Sequence, residues 1–183
     1  MSFEPDYLIF ENFKMFRNTF LKFRTGKAVK LNKSEHYSTP FVAANQVGIL
    51  FSTGDESKLN AVKQFASQLE SERKDVQILE YSPSKNELSD SGFSKFSLKS
   101  YNFWGNLENA EAQKFINQPF DYLFVIDQEI LLPIQNILAQ SKARCRVGRS
   151  VPGMDAFFDL MIEMTGDNSA LIQGMINYTK KLS

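Results

Sequence analysis

Residues able to do chemistry lie in short polar turns, each of which follows an apolar run. Ser52, Thr53 and Gly54 follow one such run and precede a helical pattern, and Asp127 follows another. Backbone N–H groups at the start of a helix, flanked by hydroxyls, can hold a phosphate. A carboxylate at the tip of a buried strand can bind or transfer a proton. Each turn also has a simpler interpretation, in which its acidic side chain caps the helix that follows.

The turn at Ser52 carries no known nucleotide motif. It lacks the glycine spacing of a dinucleotide fingerprint and the Gly-Lys-Ser/Thr of a P-loop, and the nearby Asp55 and Glu56 would repel an anion. Elsewhere, Gly148 ends another predicted strand, and the Arg149 guanidinium beside it is suited to pairing with phosphate. The candidate ligand-binding residues are Ser52, Thr53, Gly54, Asp127, Gly148 and Arg149.

Signatures of catalysis and of metal binding are missing from the sequence. His36 is the one histidine, and no cysteine or carboxylate stands near it at metal-ligand spacing. Cys145 is the one cysteine, so no intramolecular disulfide can form, and no nucleophile has a nearby histidine to activate it. We predict no catalytic residues, no metal site and no cofactor, and these absences favour a protein that is not an enzyme.

The N-terminal segment combines aromatic and basic residues. From Asp6 to about Arg24, phenylalanines recur every three or four residues, which places them on one face of a helix. Every charge between Asn12 and Ser34 is positive. Three interpretations compete: a helix docked on the sheet or on its own symmetry mate, a helix on an anionic membrane surface, and, least favoured, a contact with nucleic acid. The predicted docking residues are Phe13, Phe16, Arg17, Phe20, Phe23 and Arg24.

The rest of the chain alternates strand patterns with helix patterns. The strand-like segments are 47–51, 76–81, 96–98, 122–126, 143–147 and 157–164. Strands that alternate with helices favour parallel pairing and right-handed crossovers. The predicted fold is therefore α/β, with a three-layer Rossmann-like or flavodoxin-like arrangement. It comprises a mostly parallel sheet of about five or six strands, helices on both faces and an amphipathic N-terminal helix.

Composition places the chain among globular proteins. It has 183 residues, 43% of them hydrophobic, and 21 Lys and Arg balance 21 Asp and Glu. A net charge of zero argues against steering of nucleic acid by the field of the whole protein. No secretory signal and no long apolar span is present, so a cytoplasmic location is expected. We predict a helix and connector at 1–46 and a sheet domain at 47–183, forming one compact domain overall.

The second half of the chain resembles part of an enzyme family. The run 120–127, followed by Leu131-Leu132 and by 143–148, is similar to the acceptor-side Rossmann half of heptosyltransferase-type glycosyltransferases. Those enzymes use two such domains, and this chain has room for one. The resemblance therefore implies a glycosyltransferase-like half-domain.

A wider resemblance covers most of the chain after the connector. The stretches 99–105, 120–127, 141–148 and 157–162 resemble a family of short, uncharacterised bacterial α/β proteins. This resemblance supports the fold and implies no activity.

Two functional hypotheses follow from these patterns. The leading one is a non-catalytic or weakly ligand-binding α/β module that acts through a protein partner, a homodimer contact or a peripheral membrane contact at its N-terminal helix. The alternative is a nucleotide-sugar-related transferase-like or phosphate-ligand-binding protein. Its site would lie at the carboxyl edge of the sheet, around Asp127, Gly148 and Arg149.

Overall fold

A sheet of six parallel strands organises the described part of the chain. The computed structural model describes residues 5–32, 39–83 and 91–181, with side chains described from Met15 onward. The strands are β1 (Gln46–Ser52), β2 (Asp75–Tyr81), β3 (Ser94–Phe96), β4 (Tyr122–Val125), β5 (Cys145–Arg149) and β6 (Leu160–Ile162). Their order is β3-β2-β1-β4-β5-β6. The chain therefore reverses direction across the sheet between β1 and β4, and the carboxyl ends of these two strands form the topological switch point.

Helices flank both faces of this sheet. They are α1 (Pro5–Leu31), α2 (Glu56–Ser71), α3 (Ala110–Asn117), α4 (Leu132–Gln140) and α5 (Asn168–Thr179). The helices α2 and α5 cover one face, α3 and α4 cover the other, and α1 packs against α4. The predicted three-layer α/β fold is confirmed. Of the two arrangements considered, the strand order is that of Rossmann folds and not of flavodoxins.

The central strands explain why the sheet needs helices on both sides. In β1, Val47, Ile49 and Phe51 pack under α2 and α5, whereas Leu50 packs on the opposite face. All four residues of β4 are buried, as expected for a parallel strand covered on both faces. The core is thus divided by the sheet into two apolar layers.

The ends of several elements differ from the sequence prediction. The strand predicted to stop at Gly148 continues to Arg149, because that glycine packs under Phe158 instead of turning the chain. The segment predicted as a strand at 96–98 is shifted, since β3 ends at Phe96 and Leu98–Ser100 forms a turn of 3-10 helix. The last predicted strand shrinks to Leu160–Ile162.

The connector before the sheet contributes to the core. Phe41 is buried, and its ring meets those of Tyr122 and Phe124 edge-on. The Lys74 ammonium donates to the backbone carbonyls of Phe41 and Ala44 at 2.7 and 2.8 Å. These contacts fix the chain at the point where it enters β1.

Candidate functional site

The topological switch point holds a buried network of Ser52, Lys58 and Asp127. The Lys58 Nζ lies 2.5 Å from Asp127 Oδ1 and 2.7 Å from the Ser52 carbonyl oxygen. The Ser52 backbone N–H donates to the Asp127 carboxylate at 3.0 Å, and the Ser52 hydroxyl donates at 2.6 Å. These bonds tie the end of β1, the start of α2 and the segment after β4 into one polar unit.

Two residues of the turn between β1 and α2 let Lys58 reach this position. Asp55 caps α2 by accepting from the Lys58 backbone N–H at 2.9 Å, which sets Lys58 in the first turn of the helix. Gly54 lies against the Lys58 side chain, since a Cβ on Gly54 would be 2.6 Å from the lysine Cδ. The turn thus follows the simpler capping interpretation, and its glycine makes room for the lysine.

Asp127 does not cap the helix that follows it. The N-cap residue of α4 is Leu131, with no side-chain hydrogen bond, and Pro133 lies in the first turn, where its missing N–H costs nothing. The capping interpretation of Asp127 is wrong because the carboxylate lies against the end of β1 instead.

Burial raises the pKa of the Asp127 carboxyl, against the lowering effect of the Lys58 ammonium and of the hydrogen bonds from Ser52. A carboxylate in such a position needs its cation, because an unpaired buried charge is strongly destabilising. The lysine in turn uses its three N–H donors on Ser52 O, Ser52 Oγ and Asp127 Oδ1. It has no donor left for an incoming phosphate.

A second buried carboxylate, Glu80, lies near the end of β2. It accepts from the Thr53 hydroxyl at 2.6 Å and from the Ser91 hydroxyl at 2.5 Å. A recess of about 180 Å³ lies beside it, and its described lining includes Asp55, Glu56 and Glu80 but no lysine or arginine. The Lys95 ammonium lies 3.7 Å from Glu80 Oε2. Three carboxylates in the described lining still outnumber it, which disfavours an anionic ligand in the recess.

Gly148 and Arg149 lie on the neighbouring strand, apart from this network. A Cβ on Gly148 would overlap the Phe158 ring, so the glycine serves close packing. Arg149 ends β5 and pairs in register with Ile162 of β6. Of the six candidate ligand residues, the structure brings together Ser52, Gly54 and Asp127, and it directs Thr53 to Glu80.

The second candidate site is the surface of α1. Leu21 and Thr25 form a buried seam on this helix. The Asn136 amide of α4 donates to the Thr25 hydroxyl at 2.9 Å, and the Asn32 amide donates to the Ala139 carbonyl at 3.1 Å. Residue numbers rise together along both helices, so α1 runs parallel to α4.

The aromatic stripe lies on a different side of α1. Phe16 and Phe23 are 52% and 71% exposed. The ring of Phe20 meets those of Phe103 and Trp104, with centroids 5.7 and 5.3 Å apart. On a helix that turns about 100° per residue, this stripe is about two fifths of a turn away from the buried seam. Within the stripe, Phe20 thus contacts the domain through the 102–107 loop, whereas Phe16 and Phe23 stay exposed.

The loop from Asn102 to Leu107 supports α1. Gly105 has a φ of +72°, and a Cβ there would be 3.0 Å from the backbone nitrogen of Leu21. The helix backbone thus lies directly on this glycine. The Arg24 Nε donates to the Trp104 carbonyl at 2.8 Å, which holds the loop from the other side.

A groove of about 800 Å³ lies between α1, this loop and the helices α3 and α4. We call it the α1 groove. Phe23 and Trp104 line it and are exposed, and Arg24, Lys27 and Lys142 give it positive charge. No Asp or Glu is among its described lining residues. The groove is therefore aromatic and cationic.

The remaining candidates are placed as follows. Arg17 is half-buried, and its Nε is a buried nitrogen that has no hydrogen-bond partner in the described part of the chain. The side chain of Phe13 and the whole of His36 lie outside the described residues. Burial raises the pKa of the Cys145 thiol to about 12, so the thiolate needed of a nucleophile is scarce at neutral pH.

The described residues offer neither a metal-ligand cluster nor a membrane-spanning helix. Among them, no group of three or more His, Cys, Asp or Glu side chains could hold a metal ion. None of the helices in the described ranges is long and apolar enough to cross a bilayer.

Sequence reasoning missed Lys58, Glu80 and Trp104. Lys58 could have been recognised from the sequence. It precedes Val62 by four residues and so occupies a position on the apolar stripe of α2. A lysine on a buried stripe indicates a buried partner. Glu80 and Trp104 left no comparable signal.

Fold and sites together define an α/β protein with a Rossmann strand order, a switch point satisfied by its own side chains and an N-terminal helix beside a cationic groove. The chain belongs to a family of unknown function, DUF6913, whose model matches residues 17–182. This match confirms the predicted resemblance to a family without known function and adds nothing on heptosyltransferases. A comparison with curated proteins finds no match.

Proposed function

We propose that this chain is a non-catalytic protein-interaction module that binds an acidic segment of a protein in the α1 groove. The observation that carries the proposal is the separation of the two sides of α1. Leu21 and Thr25 already anchor the helix, yet Phe16 and Phe23 remain exposed on another side. Exposed aromatic residues grouped on one surface are typical of an interaction site.

The charges of the groove indicate the chemistry of its partner. Arg24, Lys27 and Lys142 face no carboxylate within the described lining. Complementary charge speeds association and selects partners, so an acidic segment is favoured. A basic segment would meet three like charges.

The shape of the groove favours a polypeptide over a membrane surface. From Phe20 to Leu31, α1 offers a wall about 17 Å long, which matches about three turns of a bound helix. The amides of Asn117 and Gln140 also line the groove. Their nitrogens donate within their own helices, and their oxygens can accept from a polypeptide. A membrane contact would instead need a flat or convex apolar face.

A photoreactive aromatic residue at Phe23 tests this proposal in cells of the source organism. Tyr178 on α5 is a matched control site, since it is 50% exposed and lies with the helices of the opposite face. We expect protein adducts from position 23 but not from 178, and a loss of these adducts when Lys27→Glu is added. Adducts with lipid, or none at all at 23, would contradict the proposal.

A second candidate function is the binding of a phosphate-bearing ligand at the carboxyl edge. The strand order favours it, because ligands of such sheets bind at the switch point. The engagement of Lys58 with Asp127 weighs against it. Thermal-shift measurements with nucleotides and nucleotide sugars test this candidate. A rise in Tm that disappears in Asp127→Ala, itself folded, would support it.

A further inference from the structure

The exposed stripe of α1 belongs to a longer heptad pattern. Alternating spacings of three and four residues join the positions Asp6, Ile9, Phe13, Phe16, Phe20, Phe23, Lys27 and Lys30. This repeat of 3.5 residues is the pattern of a coiled-coil seam. Along these eight positions, the residues are acidic at the first position, aromatic in the middle and basic at the last two.

The N-terminal half of α1 extends past the helix that holds it. Thr25 bonds Asn136, which is four residues into α4 from its start at Leu132. Because the two helices are parallel, α1 residues before about Leu21 lie beyond the beginning of α4. From Pro5 to Phe20 this part of the helix is about 24 Å long. It is long enough to fill the α1 groove of another molecule.

We propose that α1 pairs antiparallel with α1 of a second copy, so that the N-terminal half of each helix occupies the α1 groove of the other. The inference rests on the proposed function, because it names the occupant of the same groove. A twofold axis between Phe16 and Phe20 places Phe16 of each copy against Phe20 of the other copy. It also brings Phe13 to Phe23 and Asp6 to Lys30. Every contact then occurs twice, as an isologous dimer requires.

The charges along the helix select the antiparallel arrangement. Residues 1–11 carry Glu4, Asp6 and Glu11 and no lysine or arginine, whereas every charge from 12 to 34 is positive. Antiparallel pairing brings the acidic end of one helix to the basic end of the other. Parallel pairing would stack basic residues on basic residues along most of the helix, which costs stability.

The oligomeric state of the purified chain tests the inference. At concentrations up to about 100 μM, sedimentation equilibrium should show a mass twice the 20.9 kDa of the chain. Phe16→Glu and Phe23→Glu should each give a folded monomer, because both side chains are exposed within one molecule. Tyr178→Glu, the matched change on α5, should leave the dimer intact. A wild-type chain that stays monomeric throughout this range would overturn the inference. A dimer that survives both phenylalanine changes and is lost only in Tyr178→Glu would overturn it as well.

A charge exchange tests the proposed register. Asp6→Lys and Lys30→Asp should each weaken the dimer by about tenfold, because each change opposes like charges twice. The double variant should recover most of the loss, since the two exchanged side chains again place opposite charges against each other across the interface. A double variant in which the dimer is weakened by as much as the two single changes combined would contradict the antiparallel register.

The cross-linking and sedimentation results separate the two proposals. Adducts from position 23 to the same chain support both. Adducts to a different protein, with a monomeric purified chain, would overturn the pairing of α1 while the interaction module stands. The absence of any protein adduct at position 23 would overturn the interaction module itself.

Discussion

Lys58 donates to Asp127 across the switch point of the sheet, over a distance of 2.5 Å between Nζ and Oδ1. The pair links α2 to the segment after β4, 69 residues further along the chain. In other open parallel sheets, this crevice receives the ligand. Here a lysine of the chain itself supplies the cation and Gly54 leaves space for it. The central crevice is thus filled by side chains.

Removal of the lysine charge should expose how much the core depends on this pair. Lys58→Met leaves a buried carboxylate without its cation, and we expect a loss of about 3–5 kcal/mol in the free energy of unfolding. Lys180→Met breaks a surface pair with Glu72 and should cost less than about 1 kcal/mol. Urea denaturation followed by circular dichroism measures both. Lys58→Met with Asp127→Asn should recover much of the loss, and equal effects of the Lys58 and Lys180 changes would contradict a special role for the buried pair.

A methyl group on Gly148 should be costly. The Phe158 ring occupies the space that the new Cβ needs, so Gly148→Ala should lower the free energy of unfolding by about 1–3 kcal/mol. Gly26→Ala is the matched control, because it lies within α1 and has no atom within 4 Å of its Cβ position. It should instead stabilise the chain by about 0.5–1 kcal/mol. Recovery in the double variant Gly148→Ala, Phe158→Leu would identify the ring as the obstacle, and no recovery would exclude it.

Asp121 should make stability depend on pH in the acid range. Burial alone would raise its pKa, but backbone N–H groups of Gln46 and Asn45 and the Arg144 guanidinium outweigh it and lower the pKa below the ordinary value. Its stabilisation is present above the unfolded pKa of about 3.9 and is lost as the pH falls through the lower folded value. We therefore expect Asp121→Asn to be less stable than wild type at about pH 7, with a smaller difference at about pH 3. A difference that is the same at both pH values would contradict this assignment.

Cys145 should report on unfolding through its reactivity. Its thiol is buried and its pKa is raised to about 12. At about pH 8, a thiol reagent should modify the folded chain slowly and the urea-unfolded chain at the rate of an ordinary cysteine. Tyr178→Cys adds an exposed thiol that should react at once in the folded state. Rapid modification of Cys145 itself in the folded chain would contradict its burial.

Much of the fold could be predicted from the sequence because apolar patterning is local. The run that becomes β4 is continuous, and Leu59, Val62 and Phe65 repeat at helical spacing in α2. The ends of strands are harder to predict, because tertiary packing decides where they fall. Gly148 appears as a stop in the sequence, yet it lies inside β5 under Phe158.

The sites were harder to predict because long-range polar pairing leaves little trace in a sequence. Asp127 was recognised as a candidate, but its partner Lys58 is distant along the chain. The stripe of α1 was recognised as well, yet the seam that holds the helix depends on Thr25 and Asn136, 111 residues apart. Two small polar residues that bond across a helix interface have no periodic signature.

The filled switch point also has a consequence for control. Under the proposed interaction function, a crevice that takes its cation from Lys58 has the same occupancy whatever the supply of metabolites in the cell. The sheet then serves as a constant support and not as a sensor. If the α1 groove binds its partner as proposed, the timing of that binding would then be set by the abundance of the chain or of its binding partner.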